Sequence, residues 1–177
     1  DIDVELTATE RVGFHHYSFS KTKDNYVLLD LKHRDEVLES DFTVEDSVTI
    51  TGMRRSKAWA ENQVVYFVMK FSRSFSAYKA WQNDVLVPAS KKNKFSSNNL
   101  KAFFTFNALP DSQLYVQVAI SPVSVEGAKR NLQAEIAGRT FHQIKNQAKE
   151  KWNRELAKIE VTTPHFDKKT IFYSSLY

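Results

Sequence analysis

Residues 47–72, SVTITGMRRSKAWAENQVVYFVMKFS, read as two long β arms joined by a charged interruption. In the first arm Val48 and Ile50 alternate with Thr49 and Thr51, the period of a strand. The second arm, residues 64–71, is apolar on both faces and rich in β-branched and aromatic residues. Such a run predicts a strand covered on both sides. Between the arms, residues 54–63 gather Arg54, Arg55, Lys57, Trp59, Asn62 and Gln63. A hairpin is therefore expected as the spine of a β-rich domain.

Working outward, Ile2, Val4, Leu6 and Ala8 alternate with polar residues and predict a half-buried strand. Further strands are expected at 14–19, 26–31 and 37–44, the last as an edge strand weakened by Glu39 and Asp41. A polar turn at 20–25 and a charged corner at 32–35 separate them. Beyond the hairpin, 75–82 predicts a strand with Phe75, Ala77, Lys79 and Trp81 on one side. Residues 85–88 lead into a Lys-, Ser- and Asn-rich stretch, 89–99, read as the most mobile loop. Two more strands, 100–106 and 114–120, flank a turn at 109–112. Eight to ten strands at this spacing predict an antiparallel β-sandwich.

From Ser121 the period becomes helical. Ser124 is an N-cap, Val125, Ala128, Leu132 and Ile136 share a face, and Gly138 is the stop. Thr140 and Gln143 make a capping box ahead of the stripe Phe141, Ile144, Ala148, Trp152, Leu156, Ile159. Thr163-Pro164 predicts a third helix with Pro at its first position. The fold class is thus mainly β: an antiparallel, supersandwich-like β-sandwich over 1–121, then two to three linker α-helices over 122–177. Three short helices cannot enclose a core of their own, so they read as a connector.

The 177 residues, 42% of them hydrophobic, suffice for one domain or a domain plus an appendage. Thirteen Phe, seven Tyr and three Trp lean toward sheet. The net charge of +4 is diffuse apart from 54–57 and 91–94, which argues against nucleic acid as a partner. Without cysteine there is no disulfide or thiol nucleophile. No stretch reaches the roughly 20 apolar residues of a membrane span. Asp1 opens directly into an alternating run and the chain stops inside a helical pattern, so a piece of a longer protein is expected, its targeting signals elsewhere.

Local catalytic motifs are not found. Asp30, Asp35, Asp41, Asp46, Glu61 and Asp84 form no local acid–base motif. His15 and His16 are adjacent on a strand and point to opposite faces, and no HExxH, GxSxG or phosphate loop occurs. The hairpin interruption is the best local candidate. Trp59 can stack on a sugar ring while Arg54, Arg55, Asn62 and Gln63 bond to hydroxyls. The alternative is a Trp59 packed into the sandwich edge, with surface cations.

Several stretches together resemble glycoside hydrolase family 92, the calcium-dependent α-mannosidases. They are VELTATERVGFHHYSF (4–19), VLLDLKHRDEVLES (27–40), ITGMRRSKAWAENQVVYFVMKFS (50–72), VQVAISPVSVEGAKRNLQAEI (116–136), FHQIKNQAKEKWNRELAKIEV (141–161) and KKTIFYSSLY (168–177). Residues 75–99 are least like the family. The resemblance implies a sandwich joined by linking helices to an α/α barrel, with the active site at the junction. It implies exo-acting, inverting removal of mannose from mannose-containing glycans, often 1,2-linked, by two carboxylates. Calcium, both carboxylates and the metal ligands are implied to belong to the barrel, which would begin near Thr170. No catalytic residue and no metal ligand therefore carries over onto this chain, and the chain alone is expected to be inactive. Only Arg54, Arg55, Ser56 and Trp59 match a family motif, and of these Arg54, Arg55 and Trp59 are the expected substrate or domain-interface contacts. The implied partners are the glycan and the chain's own barrel, in a secreted, periplasmic or cell-surface parent.

Overall fold

In a computed structural model that describes residues 2–20, 24–87, 93–107 and 111–177, the alternating runs form eleven strands. These are β1 (Ile2–Ala8), β2 (Val12–Phe19), β3 (Asp24–Asp30), β4 (Glu36–Val44), β5 (Thr49–Lys57), β6 (Gln63–Phe71), β7 (Ala77–Gln82), β8 (Val85–Val87), β9 (Lys94–Ser96), β10 (Leu100–Asn107) and β11 (Gln113–Ser121). Three helices follow, α1 (Val125–Ile136), α2 (Phe141–Leu156) and α3 (Phe166–Leu176). The strands pair antiparallel into a seven-stranded sheet, β1-β2-β11-β6-β5-β4-β9, and a four-stranded sheet, β3-β10-β7-β8. The fold is mainly β, as expected, with the two sheets stacked and α1 and α2 packed on the outer face of the larger one.

The hairpin β5–β6 stands inside the larger sheet, and β6 is covered on both sides. Phe67, Met69 and Phe71 face the smaller sheet, where Phe71 meets Phe75, Phe104 and Phe106 with ring centroids 5.2–6.1 Å apart. Val68, one residue out of phase, faces the helices in a second core with Val12, Phe14, Ala119, Ala128, Ile136, Phe141 and Ile144. Two cores on one strand explain why its sequence does not alternate. Gly52 of β5 allows this packing. A Cβ there would stand 2.3 Å from the Asp41 carbonyl oxygen and 2.7 Å from the Phe67 ring.

The helix signals hold locally. The Ser124 hydroxyl accepts from the Gly127 N–H at 3.0 Å, and the Thr140/Gln143 capping box is closed on both sides. Gly138 turns the chain at φ +73°, where a side chain would be strained.

Four expectations are corrected. β4 is not an edge strand, because β9 pairs along it from Asp41 to Thr43. The polar stretch 89–99 is not all loop, since Phe95 is buried and stacks on Phe42 at 4.9 Å, which anchors β9. Residues 88–92, including Lys91 and Lys92, lie outside the described residues, as do 21–23 of the polar turn and 109–110 of the later turn. Phe75 does not share a face with Lys79 and Trp81. Residues 72–76 carry the chain from one sheet to the other, so the alternation restarts at Ala77 with Tyr78 and Ala80 facing inward. Finally, α3 begins at Phe166, two residues after Pro164, with the Thr163 hydroxyl accepting from the His165 N–H.

Candidate functional site

Along β5 the side chains of Arg54 and Arg55 point to opposite faces, and the two residues have different surroundings. Arg54 turns toward the corner after β3. Its Nε donates to the Leu31 carbonyl at 3.0 Å and its Nη2 to the His33 carbonyl at 3.1 Å, with the Asp35 carboxylate at 4.0 Å. The corner contains Arg34 at φ +82°, a backbone conformation that is costly for a residue with a side chain. Arg54 is thus a clamp holding that corner of one sheet onto the other. Arg55 pairs with Val64 across the hairpin, and its Nε donates to the Asn62 Oδ1 in the tip at 2.8 Å. The tip is closed by the Ala58 N–H donating to the Ala60 carbonyl at 3.1 Å.

Trp59 sits on that tip with its side chain wholly in solvent. It does not pack into the sandwich edge, and it touches neither arginine. The structure therefore separates the three residues picked from the sequence. Arg54 is occupied by backbone carbonyls, Arg55 is held by Asn62, and Trp59 offers both indole faces. Such a tip can bind and orient a ring or a hydroxyl.

Three of the acids, Asp30, Asp46 and Asp84, have structural work. Asp30 accepts from the Lys32 and His33 N–H groups, Asp46 from the Val48 N–H, and Asp84 from Asn99 and Lys101. These donors, Lys101 foremost, hold Asp84 below the usual carboxylate range. Asp41 is pushed up by burial, with Lys94 pulling the other way and Glu39 adding to the rise. His15 and His16 do face opposite ways. His15 bonds to the Tyr17 hydroxyl at 2.8 Å on the sandwich side, where burial pushes its pKa down. His16 stacks on Tyr115 at 4.4 Å on the helix side and bonds to Glu5 and Gln113. Glu5 is held low by hydrogen bonds from Lys145 and His16.

Among the described residues no three of His, Cys, Asp or Glu gather as a metal would need. A calcium site takes six to eight oxygens, and the described residues offer no such cluster of carboxylates.

One feature carried no local signal. A cleft of about 480 Å³ opens between the α1–α2 turn and strands β6 and β11. Its walls come from three segments distant in sequence, so no motif could mark it.

Comparison with known proteins gives a consistent result. The profile of the glycosyl hydrolase family 92 N-terminal domain matches residues 1–121, and that of the family's catalytic domain matches residues 127–177. No curated protein matches the chain. A family GH92 α-mannosidase from Bacteroides thetaiotaomicron, solved in complex with mannoimidazole, superposes with a TM-score of 0.90 at 26% identity, over 99% of this chain and 24% of that one. A family GH92 inverting mannosidase from Bacteroides thetaiotaomicron VPI-5482 superposes with a TM-score of 0.87 at 26% identity, over the same shares. The chain spans about a quarter of the length of these structures.

Proposed function

The chain belongs to glycosyl hydrolase family 92, and from that premise we propose that it is the N-terminal portion of an exo-acting, inverting α-mannosidase. The parent's substrates are mannose-containing glycans, α-1,2-mannosides foremost. The observation that carries this reading is the superposition of 99% of the chain on an α-mannosidase of the family. Hydrolysis with inversion needs an acid to protonate the leaving oxygen and a base to activate water. Glu5, Asp30, Asp46, Asp84 and Glu135 are all bound to backbone N–H groups or to cations, which supports placing both carboxylates in the catalytic barrel. The calcium ligands belong there too.

On this reading residues 1–121 are the sandwich and 122–177 lead toward the barrel. The 177-residue chain is inactive alone. Its part is to hold the linking helices and to present Arg55 and Trp59 toward substrate or barrel. The parent works in the periplasm, at the cell surface or outside the cell. The test is proton NMR of α-1,2-mannobiose with the parent enzyme. β-Mannose should appear first, and a chelator should abolish its release until calcium is returned. Release of the α-anomer first, or turnover indifferent to the chelator, would overturn the proposal.

The exposure of Trp59 favours a second reading, a non-catalytic carbohydrate-binding surface. Mannobiose would then shift tryptophan fluorescence in the native chain and not in Trp59→Ala.

A further inference from the structure

Lys70 and Gln117 are register partners on β6 and β11. Both lie two residues from members of the helix-facing core, Val68 and Ala119, so their side chains stand on the same, helix-facing side. There α1 has ended, and the turn through Gly138 brings Arg139 to the same space. The resulting cleft, about 480 Å³, has the size of a small-molecule site. Lys70 and Arg139 are its cations and no carboxylate lines it. Gln117 and Gln133 supply amides, and Leu132 and Tyr115 supply apolar surface.

Two details make the cleft a prepared one. The Tyr115 ring is fixed by its stack on His16, an edge contact with Phe14 and a tilted contact with Phe141. Arg139 is steadied by one donation from Nη1 to the Glu135 carbonyl at 2.9 Å, which leaves most of its donors free.

We propose that this cleft binds a sugar bearing an oxyanion of the phosphate-monoester class. Lys70 and Arg139 hold the oxyanion, and Gln117 and Gln133 hold ring hydroxyls. Two cations with no acid between them select an anion. Amides beside an apolar wall suit the rest of a saccharide. The saccharide half of this inference rests on the mannosidase reading, and the anion half stands on the cleft alone.

The test is titration of the ¹⁵N-labelled chain with mannose 6-phosphate, inorganic phosphate and mannose. Mannose 6-phosphate should shift the Gly138 and Arg139 amides and the Gln117 side chain saturably, and bind roughly tenfold tighter than either simpler probe. Lys70→Gln and Arg139→Gln should each weaken it about tenfold, while Arg139→Lys retains most of the affinity. Both cations are exposed, so the variants should keep the native spectrum elsewhere. No saturable shift at the turn, equal binding of inorganic phosphate, or affinity unchanged in both Gln variants would overturn the proposal. The readout is binding by this chain, so it is independent of whether the parent proves to be a mannosidase.

Discussion

The two halves of the helical segment share one sequence pattern and meet opposite fates. The stripe on α2 runs unbroken from Phe141 through Ile144, Ala148 and Trp152 to Leu156. Phe141 and Ile144 are 3% and 0% exposed, buried against β2, β6 and β11 together with α1. Trp152 is 48% exposed, and α3 has no buried residue at all. Lys145 and Lys151 still reach Glu5 on β1 and Glu10 in the turn after it. Beyond them α2 leaves the sheet behind. α3 is tied back by Tyr173, whose hydroxyl donates to the Ile159 carbonyl, and by the contact of Trp152 with Tyr177 at 4.6 Å. The difference teaches that an amphipathic stripe declares a face to be buried without saying what buries it.

Phe141→Ala should have the largest effect, a loss of about 3–5 kcal/mol in urea unfolding, because a fully enclosed ring is removed from the second core. Thr140→Ala, which opens the capping box at the start of the same helix, should cost about 1 kcal/mol by the same measurement.

Glu135 makes the docking of α1 depend on pH. It ties the end of α1 to the β1–β2 turn, accepting from the Thr9 hydroxyl at 2.5 Å and the Arg11 N–H at 3.1 Å. Burial alone would raise its pKa, but the bonds from Thr9 and Arg11 prevail and hold it below the ordinary 4.5. A carboxyl lowered on folding adds stability above its unfolded value and loses it as pH falls through the folded one. The native chain should therefore exceed Glu135→Gln in stability at neutral pH. The gap should close below about pH 4.5 in unfolding curves taken across that window. Trp152→Ala should do least, within about 0.5 kcal/mol of the native chain, since its ring is half in water already. A loss as large as that of Phe141→Ala would erase the distinction between the halves.

Local signals were legible where the physics is local. The hairpin arms, the Ser124 cap, the Thr140/Gln143 box and the Gly138 stop all depend on near neighbours in sequence. The β7–β8 hairpin has a local signal too, one that the strand pattern of 75–82 overshadows. Asn83 and Asp84 both have positive φ, 52° and 62°, the two-residue turn that Asn and Asp favour. Tertiary choices were not legible. Phe95 turns a polar stretch into a strand only because Phe42 is across from it. Phe75 leaves the strand pattern because the chain changes sheets there. At the candidate site, Arg54 and Arg55 are neighbours of one type in sequence. Only the fold shows that the first is spent on the Leu31 and His33 carbonyls while the second stands beside an exposed tip.

We propose that this chain, folded around two cores, carries no catalytic pair of its own. Incubating the purified 177-residue chain with α-1,2-mannobiose and calcium, with free mannose followed by NMR, tests it most directly. The predicted result is no release above that in buffer. Calcium-dependent release of mannose that stops on adding a chelator would contradict it.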